Sequence, residues 1–87
     1  MLFRSVSQSR YYQAQIAAEK IWYSARIRYF AEKKHVSWAE LSILTGLSEE
    51  FVHKIWNAES LPGRSALKSI ALALEIPIES LEYSSGC

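Results

Sequence analysis

The stretch SWAELSILTGLSEEFVHKIW, residues 37–56, decides how this chain is read. Ser37 followed three residues later by Glu40 is a capping box, in which each side chain satisfies a backbone N–H that the first helical turn leaves open. Leu41 and Leu44 then put an apolar face on a short helix. Gly46 ends it, because glycine enters the left-handed region at no steric cost. Ser48 opens a second helix, on which Val52, Ile55 and Trp56 share one face and Phe51 lies beside them. Glu49 and Glu50 occupy the first turn, where a carboxylate favours the helix dipole by about 0.3–1 kcal/mol. The segment therefore predicts two short helices joined by a tight glycine turn.

Working outward, the 87 residues contain three Gly, two Pro and no Asp, which leaves little turn material and points to an all-α domain. Residues 1–8 lack a clear period and read as an arm. From about Ser9 to Lys34 neither Gly nor Pro intervenes, and Ile16, Tyr23, Ile27 and Phe30 recur at helical spacing, which predicts an extended first helix. A second stripe on it, Ala18, Trp22, Ala25 and Tyr29, exceeds what a small monomer readily covers and marks a dimer or partner surface, or core if the arm folds back over it. After Pro62, Leu67, Ile70, Ala71 and Leu74 define a fourth helix. Beyond Pro77, Leu81 turns inward on a fifth short segment. The expected organisation is an arm (1–8), one domain (9–83) with its helix-turn-helix core at 37–57, and a tail (84–87).

Several functions are excluded by what these residues offer. No apolar run approaches a membrane span, so the chain reads as soluble and cytoplasmic. Cys87 is the sole cysteine, and His35 and His53 are isolated, which predicts no metal site. Nucleophile elbows and phosphate loops are absent, so neither catalysis, a cofactor nor a small-molecule substrate is expected. Charge is divided unevenly. Residues 1–34 hold seven cations against two carboxylates, a net +5, whereas residues 35–87 hold three against seven, a net −4.

Residues 36–81 resemble the helix-turn-helix domain of the Cro and phage-repressor type, the Xre family. Counted from Trp38, the twenty-residue core places Ser42 where the family has a small residue, Gly46 at the turn and Val52 at the branched apolar position. The small side chain lets the helices cross closely and the branched one plugs the crossing. The closing LKSIALALEIPIESL, residues 67–81, is similar to the family's last two helices. The resemblance implies a five-helix, lambda-repressor-like fold. It also implies a sequence-specific DNA-binding regulator, a dimeric repressor whose helix from Ser48 to Asn57 enters the major groove.

On that reading, Glu49, Glu50, Phe51 and His53 would discriminate bases, because a carboxylate accepts from cytosine N4 and an aromatic ring meets a thymine methyl. Trp38, Lys54 and Asn57 would hold phosphates, joined by Arg4 and Arg10 of the arm; Ser60 falls in a loop that can approach the backbone or a base, and Ser48, the helix cap, is counted with the DNA-binding residues. Two departures from the family stand out. Trp38 occupies a position that is commonly glutamine, and Ala58 one that is commonly glycine. A third is paired. Ala31 and Trp56 stand where the family often sets a partly buried arginine against a glutamate, and exchanging both partners avoids the roughly 3–5 kcal/mol cost of stranding one charge. The alternative function is a protein-interaction module on the same scaffold that does not read DNA, suggested by the −4 half-chain and by Trp38 and Phe51 as exposed rings.

Overall fold

The computed structural model describes residues 2–83, with side chains from Ala14 onward. Four α-helices follow one another, α1 (Leu2–Lys33), α2 (Trp38–Thr45), α3 (Glu49–Trp56) and α4 (Arg64–Leu74), and a 3-10 turn (Ile78–Leu81) closes the domain. The fifth predicted segment is thus a 3-10 turn, and the fold is otherwise the expected all-α arrangement with an extended first helix. Helix α1 has 32 residues, about 48 Å at 1.5 Å per residue, and matches the longest dimension of the molecule, 49 Å.

Residues 2–8, expected as an arm, instead belong to α1. The first Gly or Pro in the chain is Gly46, so nothing in this segment interrupts helical hydrogen bonding. Met1 and the tail 84–87 lie outside the described residues.

Helix α2 packs on α3 and α4, α1 packs chiefly on α3, and the 3-10 turn packs on α4 and α1. Their shared core comprises Ile27 and Ala31 of α1, Leu41 of α2, Val52 and Ile55 of α3, Leu67, Ile70, Ala71 and Leu74 of α4, and Leu81. Ala31 is fully buried and Trp56 packs against this core, as expected of a position pair that has exchanged charge for apolar contact. The buried Ser24 hydroxyl donates to the Trp56 carbonyl and ties α1 to the end of α3.

The capping box forms as read. Glu40 N–H donates to Ser37 Oγ at 3.2 Å, and Ser37 N–H donates to Glu40 Oε1 at 3.2 Å. Leu44 does not join the core and is 57% exposed. The inward face of α2 runs through Leu41 and Ser42, both buried. The Ser42 hydroxyl is satisfied by donating to the Ala39 carbonyl at 2.8 Å.

Helix ends follow two designs. At Gly46 (φ 77°) the cap N–H donates to the Ser42 carbonyl. At the ends of α1, α3 and α4 the left-handed position is filled by His35, Ala58 and Glu75, with φ of 58°, 61° and 57°. Each of these ends is a Schellman motif, with paired bonds such as Ala58 N–H to the Ile55 carbonyl (3.1 Å) and Glu59 N–H to the Lys54 carbonyl (2.7 Å). Left-handed backbone costs an L-residue roughly 1–2 kcal/mol, partly offset in any glycine replacement by unfolded-state entropy. Ala58→Gly is therefore expected to stabilise the domain by about 0.5–1 kcal/mol in urea unfolding. A destabilised variant would mean that Ala58 contributes packing the backbone geometry does not reveal.

Candidate nucleic-acid interface

Helix α3 turns Val52 and Ile55 inward and leaves Glu49, Glu50, His53, Lys54 and Asn57 exposed. At 100° per residue these five side chains occupy one continuous outward arc. Helix capping fixes where the arc begins. Ser48 Oγ accepts from the Phe51 N–H at 3.1 Å, and Ser48 has extended backbone (φ −67°, ψ 148°) as an N-cap requires.

Two contacts at a spacing of four residues organise the arc. Lys54 Nζ lies 3.4 Å from Glu50 Oε1, an exposed pair worth about 0.3–0.5 kcal/mol. Asn57 Nδ2 and His53 Nε2 lie 3.0 Å apart. The His53 ring also meets the Trp38 ring, with centroids 4.5 Å apart and planes inclined by 40°. Both spacings were visible in the sequence as i,i+4 pairs on a helix. The Trp38 contact was not, because it joins two helices.

On the other flank of α3, Ser48, Glu50, Phe51, Lys54 and Ser60 line a shallow cleft of about 350 Å³. The structure therefore brings Trp38, Ser48, Glu49, Glu50, Phe51, His53, Lys54, Asn57 and Ser60 together on and around α3. Trp38 and Phe51, expected as exposed rings, are half-buried and pack against the core. The Arg4 and Arg10 backbones continue α1, but their side chains lie outside the described residues.

On α1, Ala18, Ala25 and Tyr29 face solvent, and Tyr29 is 50% exposed. Trp22 is half-buried, edge-on to Tyr23 and Tyr83 at 5.2 and 5.4 Å, with the Arg26 guanidinium 5.2 Å from its ring. Ile21 is 62% exposed and was missed. Its spacing of three from Ala18 and four from Ala25 placed it on the same stripe.

Among the described residues no group of His, Cys and carboxylate side chains could hold a metal ion, and no helix is long and apolar enough to cross a membrane. A wider cleft of about 430 Å³, lined by Tyr23, Arg64, Leu67, Glu82 and Tyr83 among others, lies between α1, α4 and the 3-10 turn. It is built from none of the α2 or α3 residues that form the outward arc.

A short helix buttressing a second one, whose outward arc is polar and whose inward face is plugged by a branched residue, defines a helix-turn-helix domain. Residues 26–82 match the Cro/C1-type HTH DNA-binding domain, and the chain belongs to that family. No curated protein and no solved structure matches the chain.

Because Trp38 packs on the core as well as on His53, its removal has a structural cost. Trp38→Ala is expected to lower stability by about 1–3 kcal/mol in urea unfolding, less than the 3–5 kcal/mol of a fully buried aromatic. A change within about 0.5 kcal/mol is what an ordinary surface residue gives, and would show that the ring contributes nothing to folding.

Proposed function

We propose that the protein is a sequence-specific DNA-binding transcriptional regulator, a dimeric cytoplasmic repressor that inserts the outward arc of α3 into the major groove. The observation that carries this is the membership of residues 26–82 in a DNA-binding family, together with five polar side chains on the one α3 face that the core leaves free. Lys54, Asn57, Ser48 and Ser60 hold phosphates, and Glu49, Glu50 and His53 discriminate bases. Trp38 and Phe51 act from half-buried positions at the edges of the arc, and Arg4 and Arg10 add phosphate attraction from α1. Neither a cofactor nor a small-molecule substrate takes part, and nothing is catalysed.

A second copy docks on the outer stripe of α1, where Ala18 and Ala25 allow close approach and Ile21, Trp22 and Tyr29 supply apolar area. Dimerisation sets half-sites about 34–36 Å apart. A competing reading is favoured by one observation. Ile43 and Leu72 are 79% and 80% exposed on α2 and α4, which suits a protein partner docking on a scaffold that does not read DNA.

Selection from a random duplex pool at about 0.1 M salt separates the two readings, since surface electrostatics are only moderately screened there. Enrichment of a palindrome supports the repressor; a folded protein that enriches nothing supports the protein partner. Lys54→Ala is expected to weaken binding to every duplex and to reduce the log–log salt slope by about 0.9. Glu50→Gln is expected to change which sequence wins, and indiscriminate tightening would remove Glu50 from base reading. In sedimentation, Ile21→Glu with Tyr29→Glu is expected to yield monomers; an unchanged dimer would exclude the α1 stripe.

A further inference from the structure

We propose that His53 reads a base as a hydrogen-bond donor through Nδ1, and that Trp38 and Asn57 are positioning residues that set its ring and its tautomer. This deepens the DNA-binding reading above and rests on it.

The assignment follows from what an amide nitrogen can do. Asn57 Nδ2 carries hydrogens and no acceptor lone pair, so in its 3.0 Å contact with His53 Nε2 the ring nitrogen supplies the lone pair. A neutral imidazole has one protonated nitrogen, and here that is Nδ1. Nδ1 makes no hydrogen bond within the described residues, and His53 is exposed. Its N–H is left for a ligand.

The ring is held from two elements. Trp38, the first residue of α2, lies 4.5 Å away and is itself packed against the core. Asn57 caps α3, with its backbone N–H donating to the His53 and Ile55 carbonyls, so its amide is fixed one turn from the ring. A side chain held by a second helix and by the next turn of its own loses little rotamer freedom on binding, which favours a single readout geometry.

The groove chemistry then divides along the arc. A lone donor suits guanine O6 or N7, adenine N7 or thymine O4, and cannot pair with the cytosine N4 amine. Glu49 and Glu50, when ionised, only accept, and suit that amine. The second Nδ2 hydrogen of Asn57 is available to a phosphate oxygen, so one amide links the backbone contact to the orientation of the reading ring.

The test begins without DNA. Nitrogen-15 spectra of the imidazoles in the labelled full chain, with His35 as internal comparison, are expected to show His53 protonated at Nδ1. Asn57→Ala is expected to lose that pattern. Protonation at Nε2 in the unaltered protein would overturn the assignment. Duplex selection is then compared between the protein and His53→Phe, which keeps a ring against Trp38 and removes the donor. Preference at one base-pair position of each half-site is expected to fall by about 5- to 150-fold, with the salt slope unchanged. Retained preference at every position would overturn the base-reading role. If the Nδ1 pattern is present and the unaltered protein enriches no site, the DNA-binding reading fails and base readout fails with it, while the tautomer assignment stands.

Discussion

The crossing of α2 over α3 is the constraint on which the rest of the domain depends. Two helices approach closely only where small side chains lie between them, and the inward face of α2 carries Ser42, 4% exposed. Its hydroxyl would be costly there without a partner, and the Ala39 carbonyl in its own helix supplies one. Gly46 reverses the chain in left-handed backbone, and Val52, 1% exposed, joins the shared core. With that angle set, α1 and α4 close over Val52, Ile55 and Leu41, and the polar arc of α3 has only one direction left to face. The exposed polar arc is thus what remains of a packing problem solved from the other side.

How the helices end matters nearly as much. Three of the four α-helices stop on Schellman turns that use His35, Ala58 and Glu75 in left-handed backbone. The turns at His35 and Glu75 send the chain back toward the core, so that Val36 and Ile76 become half-buried against it. Lys34 and Glu75, at two of these ends, meet at 3.2 Å; with both side chains well exposed, the pair adds little stability. The consequence for the site is positional. Because α3 ends at Trp56 and turns at Ala58, Asn57 stays within one turn of His53 and beside the outward polar arc.

Much of this was legible in the residues. Ser37, Glu40, Gly46 and Ser48 gave helix boundaries because capping chemistry is local and depends on side chains three or four positions apart. Leu67, Ile70, Ala71 and Leu74 gave the inward face of α4 for the same reason of spacing. Leu44 shows where periodicity stops being informative. It shares helical spacing with Leu41, yet the buried neighbour is Ser42, since which flank of Leu41 faces α3 is decided by the crossing and not by hydropathy. Trp38 and Phe51 misled in a related way. Their size suggested exposed docking rings, but large rings beside a small core extend across its edge and become half-buried. Residues 2–8 look irregular in hydropathy, yet nothing in them breaks a helix, and they continue α1.

Glu49 and Glu50 sit where the helix dipole favours them, so their presence requires no ligand. Glu50 is also within reach of Lys54, and such an exposed pair is held by only a few tenths of a kcal/mol. On the DNA-binding reading, a phosphate oxygen competes easily for Lys54, and the carboxylate it leaves behind is then free to accept from a base in the groove. On that reading, the rest of the phosphate attraction falls to the cations of α1, which packs on α3. On the same reading, exposed cations act through a field that salt weakens, and discrimination rests on how rigidly His53 and the two glutamates are presented.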